Sequence, residues 1–308
     1  MQHPSKWLAH ISLSTSVLTL PVYVLVVTLY FRNPQLKTNV AYWLLANIGI
    51  VDCFSLVARV HESLMTVFST SPINVILYEF SFSMLLIYSC VLDSHVFLLV
   101  LNRVATIFGL KCKHERIITK IASLLVWISA LLIFCVYRIK FVHTYKYREY
   151  FYEDETEFED SILANSAVHI RDAICDGANV LTILCHLIVI AAMLVKKLRF
   201  KVEEIQIYAL SLAIFVPGLL YWAFATFMDP FTVFYTPAWR LFDILFPRLM
   251  PTMNLLICLC LNRNVRNAFI ASFKPAPEIN VEIEQNFIAA TEEEQNVDPK
   301  SDVLAQKA

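Results

Sequence analysis

Glycine is nearly missing from this chain: Gly49, Gly109, Gly177 and Gly218 are the only four in 308 residues. So low a count excludes Gly-rich phosphate loops and favours unbroken helices. Charge is scarce too, at 17% of residues, where soluble domains carry about a quarter. A formal net charge of -1 excludes the basic excess of a nucleic-acid binder. The eight histidines are scattered, none three or four residues from another, so no helix face offers a metal site. The chain has no Gly-x-Ser-x-Gly nucleophile elbow and no P-loop, and neither an enzyme nor a cofactor is expected. The Asn-x-Ser/Thr acceptor of surface glycosylation is also missing.

What is present is apolar length. Hydrophobic residues make up 58% of the chain, mean hydropathy is +0.60, and the charges collect in short blocks between long apolar runs. A spanning helix needs about 20 mostly apolar residues. Seven stretches qualify: Leu13–Phe31, Val40–Val60, Phe80–Leu101, Ile117–Tyr137, Ala173–Val195, Ile205–Phe227 and Leu241–Leu261. The dyad alternation of a membrane barrel is absent. The first run is longer than a signal-peptide core and no small-x-small cleavage site follows it, so it reads as a retained anchor. Pro21, Pro217, Pro247 and Pro251 fall inside spans and should bend them. The expected fold class is all-α, a seven-transmembrane helix bundle over 13–261 with a short amphipathic helix after the last span.

Lysine and arginine set the orientation. With the amino end outside, the cytoplasmic segments hold Arg32 and Lys37; Arg103, Lys111, Lys113, Arg116 and Lys120; Lys196, Lys197, Arg199 and Lys201; and Arg263, Arg266 and Lys274. The outer segments hold only Lys6, Arg138, Lys140, Lys146, Arg148, Arg171 and Arg240. Residues 1–12 are thus expected outside the cell. Residues 262–274 are expected as an amphipathic cytoplasmic helix, with Val265, Phe269 and Phe273 on one face. The acidic, polar 275–308 is expected to be a disordered cytoplasmic tail.

Arg138–Ile170 is the one long outer loop, with seven acids interleaved with aromatics that include Tyr145, Tyr147, Tyr150, Phe151, Tyr152 and Phe158. It reads as a solvated loop or as a lid over an outward pocket. Cys135 and Cys175 lie near the outer ends of spans four and five, where pairing is open but not fixed by spacing.

Ionisable groups within a bilayer are costly and face the bundle interior. Here they are Asp52, Arg59, Asp93, His95, Asp176, His186, Asp243 and Arg248. At 1.5 Å per residue, Asp52 and Arg248 both fall roughly 10–12 Å below the outer surface and are expected to pair. Arg59 and Asp243 fall near the outer boundary as a second candidate pair. Asp243 and Arg248 point about 140° apart around their helix, which disfavours both pairs at once. Asp52, Asp93, Arg248 and Asn254 are the expected intramembrane polar network, and His95, His186 and Asp176 read as packing residues.

Several segments together resemble one family. Span three ends in Leu101-Asn102-Arg103-Val104-Ala105-Thr106-Ile107-Phe108, similar to the Leu-Asn-Arg-x-x-Ala-Ile segment of nematode serpentine chemoreceptors of the gamma and V classes. Leu20-Pro21-Val22-Tyr23-Val24-Leu25-Val26 resembles that family's Pro-Leu-Tyr-Ile-Leu-Val, and Gly49-Ile50-Val51-Asp52 its Gly-Ile-Ala-Asp. Pro251-x-x-Asn254-Leu255-Leu256-Ile257, followed by Val265-Arg266, is similar to the end of the family's seventh span. Asn102 stands where rhodopsin-like receptors carry an acid, and Met250 replaces an asparagine.

The resemblance implies a G-protein-coupled chemosensory receptor of the plasma membrane or sensory cilium. It would bind a small-molecule or peptide ligand outside and a heterotrimeric G protein inside, with Asn102 and Arg103 at the coupling switch. A polytopic transporter of a small solute is the alternative, although neither an internal repeat nor paired interrupted helices are visible.

Overall fold

The computed structural model describes residues 4–68, 75–110, 114–147, 152–158, 162–196, 202–228 and 237–273. Seven long helices carry the fold: α1 (Pro4–Arg32), α3 (Val40–Phe68), α4 (Val75–Ile107), α5 (Glu115–Lys140), α6 (Ile162–Lys196), α7 (Val202–Met228) and α8 (Pro237–Leu261). Two short helices join them, α2 (Pro34–Lys37) between α1 and α3, and α9 (Arg263–Ala271) after α8. A hairpin of β1 (Phe141–Tyr147) and β2 (Tyr152–Phe158) links α5 to α6. Six of the long helices are apolar enough to cross a membrane. The seventh span comes from α8, whose Leu245–Leu261 part meets α9 at a bend of 93°. The chain is a multi-pass membrane protein with a seven-helix bundle. Residues from Ile270 onward form a separate unit, and the tail from 274 lies outside the described residues.

The burial pattern follows from spacing along each helix. On α1, Ala9, Ser12, Ser16, Thr19, Tyr23, Val26 and Tyr30 are buried, alternating three and four residues apart as one stripe of a helix, with Leu8 buried beside Ala9. Val17, Leu18 and Val24 lie off that stripe and are exposed, which a lipid solvent permits. Helix α3 is central, with 67% of its spanning window buried, and α5 is peripheral at 17%. The exposed face of α5 runs through Ile117, Ile121, Leu124, Ile128 and Leu131. Its opposite face packs inward through Ser123, Ala130 and Ile133.

The ends of the helices are chemically specified. Asn33 caps α2 by accepting a hydrogen bond from Gln35 N at 2.9 Å, which makes Arg32-Asn33-Pro34 a turn, as the dipeptide Asn-Pro favours. Asn262 caps α9 by accepting from Val265 N at 3.2 Å. Arg266 folds back and donates to Cys260 O, the exposed carbonyl end of α8, at 2.6 Å. Cap and counter-cap fix the bend, and Val265 is fully buried there.

Three expectations are corrected. The first helix starts at Pro4, not Leu13, because Leu8 and Ala9 bury against Val67 and Leu245. The second span continues past Val60 to Phe68. Arg138–Ile170 is not one irregular loop: it holds the antiparallel β hairpin, and α6 already begins at Ile162. The pairing of Cys135 with Cys175, left open by the sequence, is not made: both are free thiols.

Gly49 marks the closest approach of α1 and α3. A Cβ there would lie 2.6 Å from Val27 Cγ2 and 3.0 Å from Tyr23 Cε1. Val27 is β-branched and stiff, and the Tyr23 hydroxyl is held by a buried carboxylate. Gly177 has nothing within 4 Å of the same position. The substitution Gly49→Ala is therefore expected to destabilise the bundle by about 1–3 kcal/mol. Gly177→Ala is expected to raise stability by roughly 0.5–1 kcal/mol through helix propensity. Thermal unfolding in detergent micelles reads both, and shifts of the same sign would contradict the packing described.

Candidate functional site

Three polar clusters lie along the bundle. The middle one centres on Asp52, which is fully buried on α3. Tyr23 OH on α1 donates to its Oδ2 at 2.5 Å, and Tyr88 OH on α4 donates to its Oδ1 at 2.6 Å. Asn254 Nδ2 on α8 donates to Oδ2 at 3.1 Å. One carboxylate thus ties four helices. Hydrogen bonds to a charged acceptor are worth about 1.5–3 kcal/mol each, and leaving such a group unsatisfied costs more.

The second cluster lies about two and a half turns further along α3. Glu62 accepts from Arg59 Nη1 at 3.1 Å and from Arg248 Nη2 at 2.5 Å. All three side chains are mostly buried, with 10–14% exposed. The Asp52–Arg248 pair expected from depth alone is replaced: among the described residues no ion pair joins those two groups. Glu62 stands closer to Arg248 because α3 extends two turns past the point where its apolar run ends. Arg59 likewise pairs with Glu62. Its other candidate partner, the Asp243 side chain, lies outside the described residues.

Asp93 belongs to neither group. It faces α6, where Asn179 Nδ2 donates to its Oδ2 at 3.1 Å. Of the expected network of Asp52, Asp93, Arg248 and Asn254, the fold brings only Asp52 and Asn254 into contact. His95 is fully buried, with Nδ1 2.8 Å from Val91 O and Nε2 2.9 Å from Ser123 Oγ. That carbonyl accepts only from a protonated nitrogen, so Nδ1 carries the hydrogen and Ser123 donates to Nε2. Trp222 Nε1 donates to Asp176 at 2.7 Å, and His186 Nδ1 lies 3.2 Å from Tyr208 OH. All three serve helix-to-helix packing.

The third cluster closes the opposite end of the bundle. Arg103, near the last turn of α4, is 5% exposed. Its guanidinium donates to Asn102 Oδ1, and Asn102 Nδ2 donates to Glu115 Oε1 at 2.5 Å. An amide both accepts and donates, so Asn102 relays the carboxylate's charge to the guanidinium. Glu115 opens α5, and Glu204 lies in the first turn of α7; both are near enough for their charge to favour the Arg103 guanidinium, though neither forms an ion pair with it among the described residues. Both acids sit at helix N-termini, where the backbone dipole favours a negative charge. Tyr42 of α3 accepts from Asn264 Nδ2 of α9 at 3.1 Å. The acid that is missing beside Arg103 in the sequence is thus reached in space through Asn102, at the start of α5.

Glu62, Glu115 and Glu204 were missed by reading the sequence. The signal for Glu62 was its spacing of three residues from Arg59, on a helix that had only to run two turns longer.

These clusters define a seven-helix membrane bundle locked by polar contacts in its middle and at both ends. The crystal structure of squid rhodopsin is similar to it in fold, with a TM-score of 0.70 and 13% sequence identity. The match covers 93% of this chain and 91% of that one. No sequence family matches the chain, and no curated relative does either.

Removing the charge of Glu62 leaves two guanidinium groups facing each other. Glu62→Gln is expected to cost ~3 kcal/mol, the low end for breaking a buried pair, because some of the cluster remains exposed. Adding Arg59→Gln should restore part of the loss. Equal unfolding temperatures for wild type and Glu62→Gln would remove the cluster from the account.

Proposed function

We propose that the chain is a G-protein-coupled receptor of the chemosensory serpentine type. Its amino end and hairpin face outward, and its Arg103 end faces the cytoplasm. The observation that carries this reading is the latch at Arg103. A guanidinium so deeply buried requires compensating charge. Here the compensation comes through Asn102 of its own helix from Glu115 at the start of α5, with the charge of Glu204 on α7 nearby. Such an arrangement has two natural states. With the contacts made, the bundle end is closed; with them broken, the guanidinium is free to meet a partner entering between the helices.

The likeness in fold to squid rhodopsin, the excess of lysine and arginine at this end and the Leu-Asn-Arg segment all support the reading. The outward hairpin then stands at the mouth that a small-molecule or peptide ligand would enter. Asp52 and Asn254 connect α3 to α8, and α8 leads through its bend to Asn264, beside the latch. A change at the outer end thereby has a continuous path of packed groups to the inner one.

Guanine-nucleotide exchange on a panel of heterotrimeric G proteins, with the chain reconstituted in nanodiscs, tests this. Glu115→Gln is expected to raise ligand-independent exchange several-fold, and Arg103→Ala to abolish it with surface expression retained. Solute accumulation in sealed vesicles, with exchange unchanged by either substitution, would make the chain a transporter instead.

A further inference from the structure

At the Arg103 end, a small surface notch opens between α2 and α3 on one side and α5 on the other. It is lined by Lys37, Asn39, Val40, Trp43, Arg116 and Lys120. Three of the six are cations and none is an acid. The nearest carboxylate in sequence, Glu115, is turned away onto Asn102. Arg116 Nη2 reaches the carbonyl of Lys37 at 3.4 Å, which draws α5 against α2. Lys120 Nζ lies 5.1 Å from the centre of the Trp43 ring, a cation–π contact that holds it over the notch.

Two further features favour a bound anion. The notch includes the first residue of α3, Val40, where the helix dipole is positive; Asn39 caps that turn by accepting from Ala41 N at 2.9 Å. Independently, Trp43 Nε1 is buried with no hydrogen-bond acceptor among the described residues. A buried donor left unpaired costs about 1–3 kcal/mol. Three cations with no acidic partner among the described residues, beside a positive helix end and an unpaired indole N–H, suit an oxyanion.

The surroundings identify its source. Ile117 and Ile121, exposed on α5, flank Arg116 and Lys120 on the lipid-facing surface, and Phe31, also exposed, packs edge-on to Trp43 at 5.9 Å. Acyl chains would lie along these side chains while the headgroup occupied the notch. We propose that this notch binds the phosphate headgroup of an anionic membrane lipid, tying α2, α3 and α5 together. Which leaflet supplies the lipid rests on the orientation proposed above; the chemistry of the site does not.

The test titrates phosphatidylinositol bisphosphate into the full chain held in phosphatidylcholine nanodiscs and counts bound lipid by native mass spectrometry. Wild type is expected to retain the lipid in preference to phosphatidylcholine. Replacing all three cations, with Lys37→Gln, Arg116→Gln and Lys120→Gln, is expected to weaken retention on the order of a hundredfold, from three lost charges near the surface. Trp43→Phe keeps the ring and removes the orphaned donor. It should weaken binding several-fold without lowering the unfolding temperature. Unchanged retention in either variant overturns the assignment to this notch. Displacement by an equal concentration of soluble inositol trisphosphate would assign the notch to a free phosphate and overturn the lipid.

Discussion

The architecture depends on one buried carboxylate. Asp52 has no cation beside it among the described residues and is satisfied by three neutral donors, Tyr23, Tyr88 and Asn254. Each donor comes from a different helix, so satisfying the charge fixes where α1, α4 and α8 stand around α3. Lipid cannot drive helices together by the hydrophobic effect, since acyl chains are as apolar as leucine. Packing and polar contacts must do it. The close approach at Gly49 and the contact of Thr19 with Thr252 at 3.1 Å extend the same joint along α1.

From that joint two elements lead to the ends. Tyr88 and Arg103 share α4, fifteen residues or roughly 22 Å apart. Asn254 lies on α8, which bends at Asn262 into α9, where Asn264 meets Tyr42. The opposite end is held by Glu62 between Arg59 and Arg248, again linking α3 with α8. Both ends therefore read the position of α8 relative to α3. A bundle held by a few discrete contacts has discrete alternatives. That property suits a receptor better than a passive anchor.

Much of this was legible in the residues. Length and hydropathy located all seven helices. Asp52 and Asn254 are buried as intramembrane polar groups must be, and Asn102 and Arg103, expected at the mouth of the bundle just past span three, are buried as well. The pairings were less legible, because depth along a helix does not give direction around it. Asp52 and Arg248 share a depth, yet Glu62 takes Arg248, since a polar stretch can continue a helix beyond its apolar run. The partner of Arg103 escaped for a related reason. Motifs compare neighbours in sequence, whereas Glu115 reaches Arg103 through Asn102 from the start of another helix. The hairpin did leave a trace, in the aromatic and β-branched residues of Phe141–Tyr147, the types that favour strands. The surrounding acids drew attention to solvation instead.

The central claim is that the relay from Arg103 through Asn102 to Glu115, with the charge of Glu204 nearby, holds the Arg103 end closed. The distance between spin labels on α5 and α7 tests it most directly. Cysteines placed at the exposed positions Ile118 and Ile205 would carry the labels, with the exposed Cys135 and Cys260, and Cys112 outside the described residues, replaced by serine. Pulsed electron–electron resonance should give one short distance in the otherwise unaltered chain. Combining Glu115→Gln with Glu204→Gln should add a second, longer population. A single unchanged distance in that variant would mean that these carboxylates close nothing.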